Sequence, residues 1–359
     1  MSGPLSPGDV IGSRYQVIRY VDAGGMQFVY AANDNLTDRI VALKTPKNSS
    51  ATKRFKRSAI VAAKVNHPNV AKTLDYVKDG DARFLIEEFI DGADMDKALL
   101  RQTKFLDPYL CAKVFHHLAK GVAAAHHAGV VHRDLKPTNV MVIGGYSLTE
   151  VKVTDFGIAK MAGEELEEAA AGGSATMTTS QTAVGALPYM APEAIDTPTE
   201  VGAKADVWSL GAMMFHLMCG EAPYGVGLRA VRAILEAERP AVPAFLSANP
   251  QFAPLSNQVM ELVFSCLKRD PAERPTADEL VARCGNLCYT PAPRREGRVK
   301  RIDYNAYGFI RTDSGDVFFH TESVYGPEKL QVHDQVLFSS FNGGGADRAH
   351  PVMKLTQRV

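Results

Sequence analysis

The sequence predicts an α+β fold in which a strand-rich front is joined to a helix-rich body, so that the chain forms two lobes. Three observations carry this. From Tyr15 to Lys44, short β-branched and apolar runs alternate with turns, whereas beyond residue 95 the apolar positions take helical spacing. Asp107-Pro108 and Gly220 stand where a helix-rich body needs a start and a stop.

Taken in order, Val29-Tyr30 and Ile40-Val41-Ala42-Leu43-Lys44 read as strands on either side of the turn-forming Asn33-Asp34-Asn35. Lys53 to Val65 has helical spacing, with Phe55, Ala59, Ala62 and Ala63 on one side, and Phe84 to Phe89 is a further strand. Asp107 as N-cap and Pro108 in the first turn open a helix that carries Leu110, Val114 and Leu118 inward. Lys204 to Cys219 forms a second apolar helix, closed by Gly220. Gly163 to Thr182 strings glutamates, alanines and glycines before a Ser/Thr-rich tract, which predicts a mobile loop. Thr290 to Gly297 is short, proline-containing and charged, and reads as a linker.

At 359 residues the chain is long for one core, and two or three compact units are expected. Lysine plus arginine equals aspartate plus glutamate at 40 each, so no global field advertises a nucleic-acid or membrane partner and any such site must be local. Met1 to Gly12 holds two prolines and no apolar run, and is expected to be neither signal peptide nor anchor. The apolar stretches Val207–Met218 and Val122–Val131 fall short of a bilayer span. Cysteines 111, 219, 266, 284 and 288 lack zinc spacing and are expected to be buried, reduced thiols of a cytoplasmic protein. The pairs His116-His117 and His126-His127 lack the i, i+4 spacing of a helical metal site, and satisfied histidines are expected.

The strongest chemical signal is His132-Arg133-Asp134-Leu135-Lys136-Pro137-Thr138-Asn139, followed by Asp155-Phe156-Gly157 and Ala191-Pro192-Glu193. In this order and spacing the three motifs resemble a protein kinase catalytic domain of the bacterial Ser/Thr type, over roughly Arg14 to Leu287. The resemblance implies a bilobal kinase fold: an extension 1–13, a kinase domain 14–287 divided near residue 90, an activation segment 155–193 and a linker 288–296. It implies ATP and Mg²⁺ as cofactors. Catalysis falls to Asp134, which takes or orients the substrate hydroxyl proton, and to Lys136, which steadies the γ-phosphate. Asn139 and Asp155 are implied as metal ligands, since hard oxygens suit Mg²⁺. The nucleotide pocket is implied at Val21, Gly24, Gly25, Val29, Ala42, Lys44, Glu87, Glu88, Ile90 and Asp94, with Lys44 gripping the α- and β-phosphates and the segment 88–90 facing adenine. By the same resemblance Glu193 and Arg274 form a buried pair, Asp206 anchors the central helix, and His132 is a packing residue.

Four departures qualify the pattern. Asp22 and Gln27 stand at the first and third glycine positions of the phosphate loop, and Asp22 brings a repulsive charge toward phosphates. The first-helix glutamate that should pair with Lys44 falls at Ser58, and no acidic residue lies between Asp38 and Asp75. Glu87, just before the hinge, either pairs with Lys44 in its place or turns aside to solvent or another ion pair. Ala186 stands where a threonine is usual, which bears on substrate presentation. Arg133 before Asp134 implies a loop ordered by phosphate–arginine pairing, with Thr176, Thr178, Thr179, Ser180 and Thr182 as candidate phosphosites and a cognate phosphatase as partner.

Residues 297–357 resemble a cold-shock domain, a small all-β OB-type barrel, on Gly297-Arg298-Val299-Lys300, Tyr307-Gly308-Phe309-Ile310 and Val317-Phe318-Phe319-His320. Strand alternation puts Tyr307 with Phe309, and Phe318 with His320, on one face. With Lys300 and Arg301 they would form a stacking platform for single-stranded RNA or DNA. Basic and acidic residues balance at seven each over 297–357, so the electrostatic contribution should be modest, with Arg294, Arg295 and Arg298 as a local patch. The sequence leaves three readings open. The first is an active Ser/Thr kinase acting on protein substrates and targeted or regulated through nucleic acid. The second is a pseudokinase scaffold or nucleotide sensor. The third is a nucleic-acid-binding regulator, with the alternative that the barrel binds protein, the kinase lobe included.

Overall fold

The computed structural model describes residues 3–23, 27–47, 52–156, 185–198, 201–289 and 292–355. The front lobe is a six-stranded sheet built from β1 (Val10–Ile11), β2 (Tyr15–Ala23), β3 (Gln27–Asp34), β4 (Arg39–Pro46), β5 (Thr73–Asp79) and β6 (Ala82–Glu88), in the order β1-β2-β3-β4-β6-β5. Alternation divides β4 cleanly. Val41 and Leu43 join Tyr15, Val17, Tyr30 and Ile86 in one apolar layer, which leaves Ala42 and Lys44 on the other face. Helix α1 (Thr52–Ala62) covers that second face, packing Phe55 and Ala59 on Leu85. Ala63 lies past the helix end and is exposed, and Val65 is buried in its stead.

The body is helical. Asp107 caps α2 (Pro108–His127), its carboxylate accepting from the Tyr109 and Leu110 N–H groups. Leu110, Val114 and Leu118 are buried as their spacing requires. Helix α3 (Ala203–Cys219) is apolar nearly all round, the mark of a central helix. It ends at Gly220, whose φ of 83° favours glycine. Helices α4 (Ala230–Glu236), α5 (Ala253–Cys266) and α6 (Ala277–Gly285) also belong to this lobe. Gly211 of α3 has no room for a Cβ, because Cys266 of α5 would lie 2.5 Å away. The strands β7 (Ala93–Asp94), β8 (Val140–Ile143) and β9 (Glu150–Val153) form a separate small sheet in the order β7-β8-β9.

The C-terminal part is a closed five-stranded barrel of β10 (Arg295–Asp303), β11 (Tyr307–Thr312), β12 (Gly315–His320), β13 (Gln335–Phe341) and β14 (Arg348–Lys354), in the order β10-β11-β12-β14-β13. Val299, Ile310, Val317, Phe319, Val336 and Phe338 fill it. Its β13–β14 side is docked on the helical lobe. Tyr325, Leu337, Met353 and Leu355 belong to the same apolar core as α2, α3 and α5. The Phe252 ring stacks on His350 at 5.1 Å and meets Tyr325 edge-on at 5.1 Å.

Three expectations need correcting here. Arg294 does not belong to an exposed basic patch, because its guanidinium grips both Asp107 oxygens at 2.7 and 2.8 Å in a fully buried pair. Part of the segment read as linker is structured, since β10 begins at Arg295. Cys288 is exposed, unlike the other four cysteines, because it lies beyond the end of α6. The histidine pairs each find a partner: His116 with Tyr289, His117 with Asn69, His126 with Asp206 and His127 with Asp278. Among the described residues no helix is long and apolar enough to cross a membrane.

Candidate active site

The loop after α2 is held from below by α3. Asp206, buried in the first turn of α3, accepts the backbone N–H of His132 at 2.8 Å and of Arg133 at 2.7 Å, and takes a third bond from His126. Arg133 takes a φ of 68°, a strained value for its residue type, and two backbone hydrogen bonds to the Asp206 carboxylate hold the loop there, while His126 of α2 steadies that carboxylate. His132 is fully buried, donates to the Thr154 carbonyl at 2.8 Å and packs edge-on against Phe156.

That anchoring presents Asp134. Lys136 Nζ lies 2.8 and 3.0 Å from its two oxygens, and Asn139 Nδ2 donates to Oδ2 at 3.0 Å and to the Asp134 carbonyl at 2.8 Å. Asn139 in turn receives the Thr154 N–H at 2.9 Å, which brings Asp155 alongside. Asp155, at φ 62°, accepts two donors on Oδ1: Lys44 Nζ at 2.8 Å and Gln27 Nε2 at 2.7 Å.

Lys44 also meets Glu87, at 2.6 Å. The register explains why. Ala42 pairs with Glu87 and Lys44 with Leu85 across β4 and β6, so Lys44 and Glu87 are diagonal neighbours on one face. Burial alone would lower the Lys44 pKa, but the Asp155 and Glu87 carboxylates outweigh it and hold the ammonium well above its ordinary value. For Glu87 burial dominates and pushes the carboxyl up, with Lys44 offsetting it only in part. For Asp155 the Lys44 charge and the bonds from Lys44 and Gln27 outweigh burial, and the acid is held below its ordinary value. One ammonium thus faces two carboxylates in a buried cleft, an arrangement that invites a further cation.

A family model described as a protein kinase domain matches residues 15–283. The chain belongs to the protein kinase family. It is 30% identical to a probable serine/threonine-protein kinase of Clostridium perfringens over 76% of its own length and 38% of that protein. It is 29% identical to the serine/threonine-protein kinase PrkC of Bacillus subtilis, over 77% and 40% of the two chains. The chain therefore spans about two-fifths of the length of these curated relatives.

Protein kinases use ATP and Mg²⁺. The donors here suit that metal: Asn139 and Asp155 offer hard oxygens beside a cleft with excess negative charge. Of the other residues read as nucleotide-binding, Ala42 is buried, Val29 and Ile90 are half-buried and Val21 is exposed; Gly24 and Gly25 lie outside the described residues. The Glu88 side chain is turned to the Lys72 N–H and to Lys152. Asp94 accepts from the Lys97 N–H, and Lys97 Nζ bridges Asp94 and Asp22 at 3.0 Å each. The charge of Asp22, expected to act as a bare repulsion, is thus tied to a lysine across the mouth of the cleft.

Glu193 and Arg274 form a bidentate pair at 2.6 and 2.8 Å, and three backbone carbonyls take the remaining guanidinium donors. The kinase lobe holds Arg133 by its guanidinium on the Val201 carbonyl at 3.0 Å. Ala186 stands half-buried before the turn Leu187–Tyr189. Thr176, Thr178, Thr179, Ser180, Thr182 and Gly157 lie outside the described residues.

On the barrel, β11 and β12 pair Tyr307 with His320 and Phe309 with Phe318. Tyr307, Phe309, Phe318 and His320 all face outward, alternating with buried Gly308, Ile310, Val317 and Phe319. Tyr307 and Phe318 stack at 5.7 Å, Arg301 lies 4.6 Å from the Phe309 ring, and Tyr304 extends the patch at 90% exposure. Lys300 is engaged by Asp316. Sequence reasoning missed Tyr304 and Lys97, and saw in Gln27 only a lost glycine. The position of Gln27 two residues before Val29 was the available signal, since it fixes the same strand face.

Proposed function

We propose that this chain is an ATP- and Mg²⁺-dependent Ser/Thr protein kinase whose barrel binds single-stranded nucleic acid. The observation that carries the first half is the Asp134 carboxylate, fixed by Lys136 and Asn139 next to the Lys44–Asp155–Glu87 cluster. In this reading Asp134 takes the proton of a substrate Ser or Thr hydroxyl as its oxygen attacks the γ-phosphorus. Lys136 then moves from Asp134 toward the transferring phosphoryl group, and Lys44 holds the α- and β-phosphates. Bound at Asn139 and Asp155, Mg²⁺ would neutralise phosphate charge. Phosphorylation in the segment around residues 176–182 and its removal by a cognate phosphatase fit the same reading, as does a cytoplasmic location.

Asp134→Asn in the full chain should cut phosphate incorporation from labelled ATP by about 10²–10⁴-fold, the usual weight of a positioned base. No incorporation by the unaltered chain, into itself or a generic protein substrate, would favour a pseudokinase scaffold instead.

The aromatic patch supports the second half. It occupies β11 and β12, while docking uses β13, β14 and the segment around Tyr325, so both faces can work together. Phe309→Ala and Phe318→Ala should each weaken binding of a short oligonucleotide by about 5- to 150-fold, from 1–3 kcal/mol of stacking per base. The salt dependence should be shallow. Unchanged affinity in both variants sinks this assignment.

A further inference from the structure

Gln27 occupies a position where close approach to phosphate favours glycine, and the residue it brings is long and polar. It opens β3, two residues before Val29, whose cross-strand partner is Lys44. Strand alternation therefore turns Gln27 to the same face as Lys44, into the cleft. The side chain is not a solvated substitute for glycine: the residue is only 6% exposed. Its Nε2 donates to Asp155 at 2.7 Å, while its Oε1 is buried with no hydrogen-bond partner among the described residues.

An acceptor left bare in this place is unfavourable twice over. It has lost water without gaining a donor, and it sits beside a cluster where one ammonium already faces two carboxylates. A cation relieves both. With an ion on Asp155, an amide presenting its N–H would be repelled. A half-turn of the terminal amide exchanges donor for acceptor and offers Oε1 to the ion, with no movement of the backbone.

We propose that Gln27 is a metal-site residue: it restrains Asp155 in the free protein and becomes an additional oxygen ligand when a divalent cation binds there. The proposal rests on the reading of Asp155 as a metal ligand, and a neutral amide oxygen is a suitable hard donor for Mg²⁺ or Mn²⁺.

The test is Mn²⁺ binding, followed by its electron paramagnetic resonance signal, to the full chain in the presence of a non-hydrolysable ATP analogue. Gln27→Leu keeps the approximate volume and removes both polar atoms, and should weaken Mn²⁺ binding by about 10-fold, at the low end of losses when a metal-site partner is removed. Gln27→Glu retains an oxygen ligand and should bind Mn²⁺ at least as tightly as the unaltered chain. Asp155→Asn is the control for the underlying site. If Asp155→Asn weakens binding while Gln27→Leu leaves it unchanged or tighter, Gln27 is only a restraint and the proposal fails alone. If the unaltered chain binds no Mn²⁺ with the analogue, the Asp155 assignment fails with it.

Discussion

Replacing Arg294 with alanine is expected to destabilise the kinase lobe by about 3–5 kcal/mol, because the Asp107 carboxylate then stays buried without its guanidinium. The side chains of this pair are 3% and 0% exposed, so solvent cannot take over. The loss would be felt far from the barrel. Asp107 is also the N-cap of α2, and α2 spans about 30 Å before its last turn reaches Asp206 through His126. Trp208 is the single tryptophan and lies buried in α3, so its fluorescence reports on the lobe and not on the barrel. Urea unfolding followed at Trp208 should show a clear fall in midpoint for Arg294→Ala. An unchanged midpoint would mean that the barrel rides on the lobe without supporting it. The apolar part of the contact points the same way, since removing the barrel would bare Phe105 and Phe252, which pack on Tyr325.

This contact marks the limit of what the sequence discloses. Elements set by local chemistry were legible: Asp107-Pro108 announces a helix start because a carboxylate and a proline solve the problem of unpaired first-turn N–H groups. Asp134, Lys136 and Asn139 could be picked out together because phosphoryl transfer needs particular side chains at fixed short spacings, and the structure brings the three within hydrogen-bond reach of one another. The Arg294–Asp107 pair joins residues 187 apart, and Tyr109 meets His350 across 241. No periodicity encodes such meetings, so Arg294 read as one more basic residue before a basic strand. Gln27 failed for a related reason. Its departure from glycine was visible, but its partner Asp155 lies 128 positions away. Glu87 was left between two outcomes, the Lys44 pair or an outward turn, and the register gives the pair: Glu87 sits two residues past the cross-strand partner of Lys44, and a short strand keeps that offset on one face.

The Glu87 substitution has a large expected effect on catalytic efficiency. We expect Glu87→Met, which places an apolar residue just before the hinge, to lower kcat/KM by about 10²–10⁴-fold, the rate equivalent of about 3–5 kcal/mol for breaking a buried pair. Lys44 would then face Asp155 alone, free to follow that carboxylate instead of being held between two anchors. The loss should be reversible by moving the charge. Position 58 lies in α1 next to Ala59, which packs on Leu85, the residue opposite Lys44 in register. Ser58→Glu should therefore have little effect by itself but recover most of the activity in the Glu87→Met background. Steady-state rates for the four proteins against one peptide form a double-mutant cycle, and its coupling energy is the measured quantity. Additive effects, or full activity in Glu87→Met alone, would show that Lys44 needs no partner from the sheet. Strong coupling would show that this kinase has kept the buried lysine pair and changed only the element that supplies the acid.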